Sequence, residues 1–272
     1  MSAEPEVSIH ADPAALAAAA AGRLVARLAA VQAERVEATV VLTGGTLGIA
    51  TLAAVAGTEG LGTVDWSRVN FWWGDERYVA RDSPDRNERQ AREALLDRLD
   101  LDPARVHTFG AAGEYAGVDE AALAYAEELR QAAAVEGPAV GSRGADGLQV
   151  PRFDVLLLGI GPDAHIASLF PEMAGIRESG RTVVGVHDSP KPPPERISLT
   201  LDAINSAAEV WLVAGGKDKA GAVGLALAGA SPVQVPAAGV RGQEKTLWLL
   251  DQQAAAEVPR SLLDGEALDL QG

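Results

Sequence analysis

The run Asp154-Val155-Leu156-Leu157-Leu158-Gly159-Ile160-Gly161-Pro162 constrains the fold more than any other segment. From Val155 to Ile160 no position carries a polar side chain, so the run cannot alternate between core and water. Such a strand is buried on both faces, which is the setting of a parallel sheet covered by helices. The glycines and Pro162 then break the strand and permit a tight turn. An acid and an imidazole, Asp163 and His165, follow directly. In open α/β sheets ligands bind at the carboxyl ends of strands. The chain therefore sets its most useful proton-transfer side chain where substrates sit. Taken alone, a histidine in such a loop is more often a structural residue than a catalyst. A dinucleotide loop is a poorer reading, because Gly159-Ile160-Gly161-Pro162-Asp163-Ala164 lacks the third glycine of that fingerprint.

The same strand-then-glycine arrangement recurs. Asp12-Pro13 starts a helix, a capping side chain followed by proline at the first helical position, and the helix is expected to reach about Gln32. Ala38 to Thr43 reads as a β-branched strand ending at Gly44-Gly45-Thr46, where a second helix begins. Val69 to Trp73 reads as a strand ending in the charged loop Gly74-Asp75-Glu76-Arg77. Helices are expected from about Asn87 to Leu99 and Val118 to Ala134, and from near Lys217. Further strands are expected at Thr182–Val186, Ile197–Thr200, Val210–Ala214 and Thr246–Leu250. Strands alternating with helices specify a doubly wound, Rossmann-like α/β fold with a mainly parallel sheet and helices on both faces. Residues 1–272 read as a single α/β domain, with a flexible Gly- and Pro-rich loop near 137–151 and a frayed acidic C-terminal tail.

Composition removes several classes of function. Apolar residues make up 47 % of the chain, enough for a full core. Lys plus Arg is 23 and Asp plus Glu is 38, a formal charge of −15. That balance argues against nucleic-acid partners and anionic membranes, and obliges any anion site to concentrate its cations locally. With no cysteine, thiolate metal sites, disulfides and cysteine nucleophiles are excluded. The alanine run Ala14–Ala21 lies between Asp12 and Arg23 and reads as a helix, not a membrane span, while the acidic start lacks a basic signal-peptide region. A cytoplasmic protein, monomer or homodimer, is the expectation.

The strand ends carry the candidate chemistry. Thr43-Gly44-Gly45-Thr46 can bring backbone N–H groups and a helix N-terminus to an anion, or be a plain strand–helix turn. Arg77 offers a planar fork for phosphate, and Asp75 can orient a histidine or a sugar hydroxyl. Asp163 and His165 supply only two metal ligands, with His10, His107 and His187 in unrelated segments, so no metal and no other cofactor is expected. Ser168 follows His165 without a Gly-x-Ser-x-Gly elbow, which disfavours a serine-hydrolase triad. Gly215-Gly216-Lys217-Asp218-Lys219 places lysines in a first helical turn, unfavourable for the dipole unless an anion is also there.

Taken in order, these loops resemble the 6-phosphogluconolactonase family, related to glucosamine-6-phosphate isomerase/deaminase. The resemblance runs from about Thr39 to Asp251. It is carried by Trp73-Gly74-Asp75-Glu76-Arg77-Tyr78-Val79, by Leu158-Gly159-Ile160-Gly161-Pro162-Asp163-Ala164-His165, by Ser168-Leu169-Phe170-Pro171 and by Ser189-Pro190-Lys191-Pro192-Pro193-Pro194-Glu195-Arg196-Ile197. The last two motifs favour the lactonase branch over the deaminase branch. The chain departs from the usual family pattern at Leu47-Gly48, at Ala164, where the family has glycine, and at Ile166, where it has threonine. If that glycine has positive φ, Ala164 is strained; if that threonine contacts substrate, its hydroxyl is missing.

The resemblance implies hydrolysis of 6-phospho-D-glucono-1,5-lactone in the oxidative pentose phosphate pathway. A δ-lactone is an activated ester, so one base that activates water and returns the proton to the ring oxygen suffices. His165 is the expected base, held by Asp163 or Asp75, with backbone N–H groups near Gly161 stabilising the oxyanion. Gly44, Gly45, Thr46, Arg77 and Lys219 are the expected phosphate clamp, with Ser168 and Arg196 as further substrate contacts. Lys219 is preferred to Lys217 because Gly216-Lys217-Asp218-Lys219-Ala220 matches the family pattern Gly-x-x-Lys-Ala. Two alternatives are an amino-sugar-phosphate isomerase or deaminase and a non-catalytic sugar-phosphate sensor. The absence of a basic helix-turn-helix and the presence of His165 argue against the sensor.

Overall fold

The computed structural model describes residues 4–136 and 149–262. Most of the expected loop at 137–151 and most of the acidic tail lie outside the described residues. Helix α1 (Pro13–Glu34) opens as its sequence demands, with the Asp12 carboxylate accepting from the Ala15 N–H and Pro13 at the first position. Leu16, Ala20, Leu24, Leu28 and Val31, spaced three or four apart, make its buried stripe. By length and hydropathy α1 could span a bilayer. Its packing against the chain's other elements is that of a core helix.

Strand β1 (Glu6–His10) precedes α1, and β2 (Ala38–Leu42) follows it. Helix α2 (Gly45–Val55), β3 (Val69–Trp73), β4 (Asp75–Arg77), α3 (Asn87–Ala94) and α4 (Val118–Glu136) lead to β5 (Val155–Gly159). Then come β6 (Val183–Val186), β7 (Arg196–Leu199), the single turn α5 (Leu201–Ile204), β8 (Glu209–Ala214), α6 (Ala220–Leu227) and β9 (Lys245–Asp251). Six strands form one all-parallel sheet in the order β1-β9-β8-β5-β2-β3. Strands β2, β3 and β8 are buried along their whole length, so both faces of the sheet are covered, as their apolar sequences require.

The order fixes where a ligand can bind. From β2 the chain steps outward to β3, then returns to the other side of β2 and runs outward through β5, β8 and β9. The direction reverses between β2 and β5, and the loops leaving their carboxyl ends diverge to leave a crevice.

Five features differ from the sequence reading. Strand β1 was not anticipated; it pairs with β9 at the sheet edge. The segments expected at 182–186 and 197–200 do form strands, but β6 and β7 build a separate antiparallel sheet with β4. Asp75–Arg77, expected as a charged loop, is that sheet's third strand. It can be a strand because its charges are met inside the protein: Glu76 accepts from the backbone N–H groups of Arg77, Asn87 and Glu88 at 2.9, 2.6 and 2.9 Å. Gly74 joins the two sheets, donating to Leu42 O and accepting from Leu199 N at 2.9 and 2.8 Å. The helix expected to reach Leu99 ends at Ala94 and continues as a 3-10 turn, and the one expected near Lys217 begins at Ala220 after such a turn.

Candidate active site

A cavity of about 480 Å³ opens at the switch point, over the carboxyl ends of the parallel strands. Each loop from the sequence reading contributes to its wall. From β2 come Thr43, Gly44, Gly45 and Thr46; from β4, Asp75 and Arg77; from β5, Gly161 and His165; from β8, Gly215 and Lys219. Lys191 and Arg196 arrive from the segment leading into β7.

The β2 loop is shaped by its glycines. Gly45 has φ +78°, in the left-handed region. A Cβ at Gly44 would lie 1.9 Å from Asn87 Oδ1, so only glycine lets that amide approach. Helix α2 starts without a side-chain cap, which leaves its first N–H groups and positive dipole end facing the cavity.

The β5 loop folds back on itself. Gly161 N–H donates to His165 O and Ala164 N–H to Gly161 O, both at 2.9 Å. A side chain at Gly161 would collide with the His165 ring, its Cβ 1.9 Å from Nδ1. Ala164 adopts φ +65° and Ala167 φ +47°. Holding alanine at Ala164 costs on the order of 1 kcal/mol, which glycine would not incur. The Gly161 N–H is spent closing the loop, so it is not itself among the N–H groups near this turn that are free for an oxyanion. Ile166 is fully buried in the core, so the position occupied by threonine in the family pattern does not face the cavity here.

His165 and Asp163 form a dyad. His165 Nδ1 lies 2.6 Å from Asp163 Oδ1, and the ring packs against Phe170 with centroids 4.6 Å apart. An ionised carboxylate can only accept, so Nδ1 carries a hydrogen, and in the neutral ring it is Nε2 that has the lone pair. Burial pushes the Asp163 carboxyl up, but the hydrogen bond and charge of His165 and those of Lys191 outweigh it and hold it well below the usual carboxylate range. Asp75 does not touch the imidazole. It is buried, accepts from Ser168 Oγ at 2.7 Å, and takes Asn87 Nδ2 on its backbone oxygen at 2.8 Å. Of the two carboxylates left open by sequence, Asp163 is the one that orients His165.

The arginines are arranged unusually. Arg77 of β4 lies directly opposite Arg196 of β7 in the antiparallel register. Like charges so placed repel. Arg77 Nη1 donates to Asp85 O at 2.8 Å and Asn87 Oδ1 at 2.6 Å. Arg196 donates to the carbonyls of Pro193, Lys191 and Pro192 at 3.2, 3.2 and 2.9 Å, and its guanidinium sits 5.8 Å over the Phe170 ring. Among the described residues neither makes an ion pair. Burial lowers the Arg196 pKa from its ordinary value, Asp75 pulls it back up, and the like charge of Arg77 lowers it again. Lys219 reaches the cavity with its Nζ 3.1 Å from Asp218, while Lys217 is exposed and not in the wall.

Ser168 is a correction. It is 1 % exposed and bonded to Asp75, so it braces that carboxylate and does not reach the cavity as a substrate contact. Sequence reasoning missed Lys191 and Asn87 as site residues. Lys191 Nζ lies 3.1 Å from Asp163 Oδ1. Asn87 ties Arg77 to Asp75. The available signal was a lysine and an arginine, Lys191 and Arg196, bracketing a proline run in an acidic chain.

Residues 11–248 match the family model described as glucosamine-6-phosphate isomerases/6-phosphogluconolactonase. A 6-phosphogluconolactonase of Streptomyces coelicolor is 54 % identical over 264 residues, covering 96 % of this chain and 98 % of the relative. One from Mycobacterium leprae is 49 % identical over 255 residues, covering 93 % and 98 %. The solved 6-phosphogluconolactonase of Trypanosoma brucei superposes with a TM-score of 0.80 at 30 % identity, covering 94 % of this chain and 99 % of that one.

Proposed function

Since this chain belongs to the glucosamine-6-phosphate isomerase/6-phosphogluconolactonase family, we propose that its cavity binds 6-phospho-D-glucono-1,5-lactone with His165 as the general base. The chain is a lactone hydrolase of the oxidative pentose phosphate pathway, producing 6-phospho-D-gluconate. Water adds to C1 as its proton passes to His165 Nε2. The bond from C1 to the ring oxygen then breaks, and the imidazolium returns that proton to the departing oxygen. Asp163 fixes the tautomer and steadies the imidazolium. Arg77, Arg196 and Lys219, with the N–H groups at Gly44, Gly45 and Thr46, hold the phosphate dianion. Asp75, braced by Ser168 and Asn87, is left to accept from a sugar hydroxyl or the attacking water.

The observation that carries this reading is the pair of facing arginines without carboxylate partners beside an oriented imidazole. A phosphate between Arg77 and Arg196 turns a repulsion into two charge-assisted contacts. We place the enzyme in the cytoplasm, as a monomer or homodimer. The test is lactone disappearance above the spontaneous rate with no metal added, alongside ammonia release from glucosamine 6-phosphate. Lactone turnover that vanishes in His165→Asn supports the assignment. Ammonia release without lactone turnover would favour the deaminase reading.

A further inference from the structure

The segment 189–196 sends a cation to the dyad from outside the strand-end loops. Lys191 Nζ lies 3.1 Å from Asp163 Oδ1 and 3.2 Å from His165 Nδ1. The ammonium and Nδ1–H are both donors, so they share the carboxylate oxygen and cannot bond each other. Resting on the reading of His165 as the base, we infer that Lys191 is a positioning residue for the hydrolysis: it shares the oxygen that orients His165 and keeps the imidazole in its neutral, proton-accepting form.

The argument is one of offsetting charges. A carboxylate 2.6 Å from Nδ1 orients the ring but also favours its protonation, which would disable the base. An ammonium at the same oxygen opposes protonation while leaving the orienting bond in place. The other charged groups sharing the cavity are Arg196 from the same segment, Asp75 and Arg77 from β4, and Lys219 with Asp218 after β8. Among the described residues none of these makes a hydrogen bond or ion pair with the imidazole, so Lys191 is the cation set to balance Asp163.

The backbone at Lys191 is fastened as this role needs. Ser189 Oγ donates to Lys191 O at 2.9 Å and accepts from Lys191 N at 3.3 Å. Arg196 Nη2 also donates to Lys191 O, at 3.2 Å, so a residue of the phosphate clamp secures the chain that carries the ammonium.

The experiment compares wild type, Lys191→Met, Lys191→Arg and His165→Asn on 6-phospho-D-glucono-1,5-lactone, corrected for spontaneous hydrolysis across pH 5 to 8. In Lys191→Met the acid limb of kcat/KM should move to higher pH by about half to one unit, with kcat down roughly 5- to 20-fold near pH 6. Lys191→Arg should restore most of both, since it returns the charge. An unmoved acid limb overturns the inference. So does a loss uniform across pH that arginine fails to rescue, or a rise in KM with kcat unchanged, which would make Lys191 a substrate contact. An active His165→Asn variant would instead sink the assignment of the base itself.

Discussion

At the amino ends of the central strands, charges come in pairs. Glu37 before β2 meets Arg105 at 2.6 Å, and Glu209 at the start of β8 meets Arg27 at 2.7 Å. Asp154, just before β5, lies against Arg35 and Arg152 and accepts from the Thr39 N–H at 2.8 Å. At the carboxyl ends, Arg77 and Arg196 face each other and donate only to carbonyls and an amide. The two regions belong to one chain with an overall charge of −15, yet one neutralises its arginines and the other, where the small antiparallel sheet meets the strand ends, does not. Charges that exist to fasten the fold are satisfied within it. Charges left facing one another are, on the function proposed above, the ones a substrate phosphate would satisfy.

The largest expected effect tests the carboxyl end directly. His165→Asn should lose at least about 100-fold in turnover while the fold stays intact by circular dichroism. Near-normal turnover would remove the imidazole from the mechanism. Arg77→Ala should come next, at roughly 10- to 100-fold in kcat/KM for the phosphorylated lactone, since a charge-assisted contact is worth about 1.5–3 kcal/mol. Glucono-1,5-lactone without phosphate should be a poor substrate of the wild type and should lose little further. Equal losses on both lactones would assign Arg77 to structure or chemistry instead of phosphate.

At the amino end the expectation inverts. Asp154→Ala strips the buried Thr39 N–H of its partner and should cost about 1–3 kcal/mol of stability by denaturant titration, with turnover per folded molecule unchanged. A drop in turnover there would dissolve the distinction between the two ends. The smallest effect concerns pH. The folded Asp163 carboxyl titrates below its unfolded value, so its contribution to stability is present above the unfolded pKa of about 3.9 and lost as pH falls through the lower folded one. The melting difference between wild type and Asp163→Asn should therefore hold from pH 7 to about pH 4 and narrow below that. A difference that persists undiminished at pH 3 would mean the carboxylate is not held by its cationic neighbours.

The residues gathered at the carboxyl ends are largely legible in the sequence, because β2, β3, β5 and β8 are each a mainly apolar run closed within two residues by glycine and followed by polar residues. His165, Arg77, Lys219 and the Gly44–Thr46 turn all line the cavity, and Asp163 meets His165 Nδ1 at 2.6 Å. What is not legible depends on partners distant in sequence. Glu6–His10 has one buried residue, Val7, and declares itself a strand only against β9. Asp75-Glu76-Arg77 reads as loop because nothing local shows that α3's first N–H groups will receive Glu76. Ser168 sits beside the Asp163–His165 loop in sequence, but its hydroxyl turns to Asp75. Lys191 lies in a proline run that reads as surface until its ammonium is seen against Asp163.

Residues 116 apart in the chain, Thr43 and Gly159, meet where Thr43 Oγ1 accepts from the Gly159 N–H at 3.4 Å. The site is spread over the ends of neighbouring parallel strands, each made adjacent only by closing a long crossover. Such pairings form late, after large loop entropies have been overcome. No fragment of the chain, and no intermediate lacking the β2–β5 seam, holds half a working site. Recovery of activity during refolding is therefore a clock for the completion of the sheet, and should trail the return of helical signal.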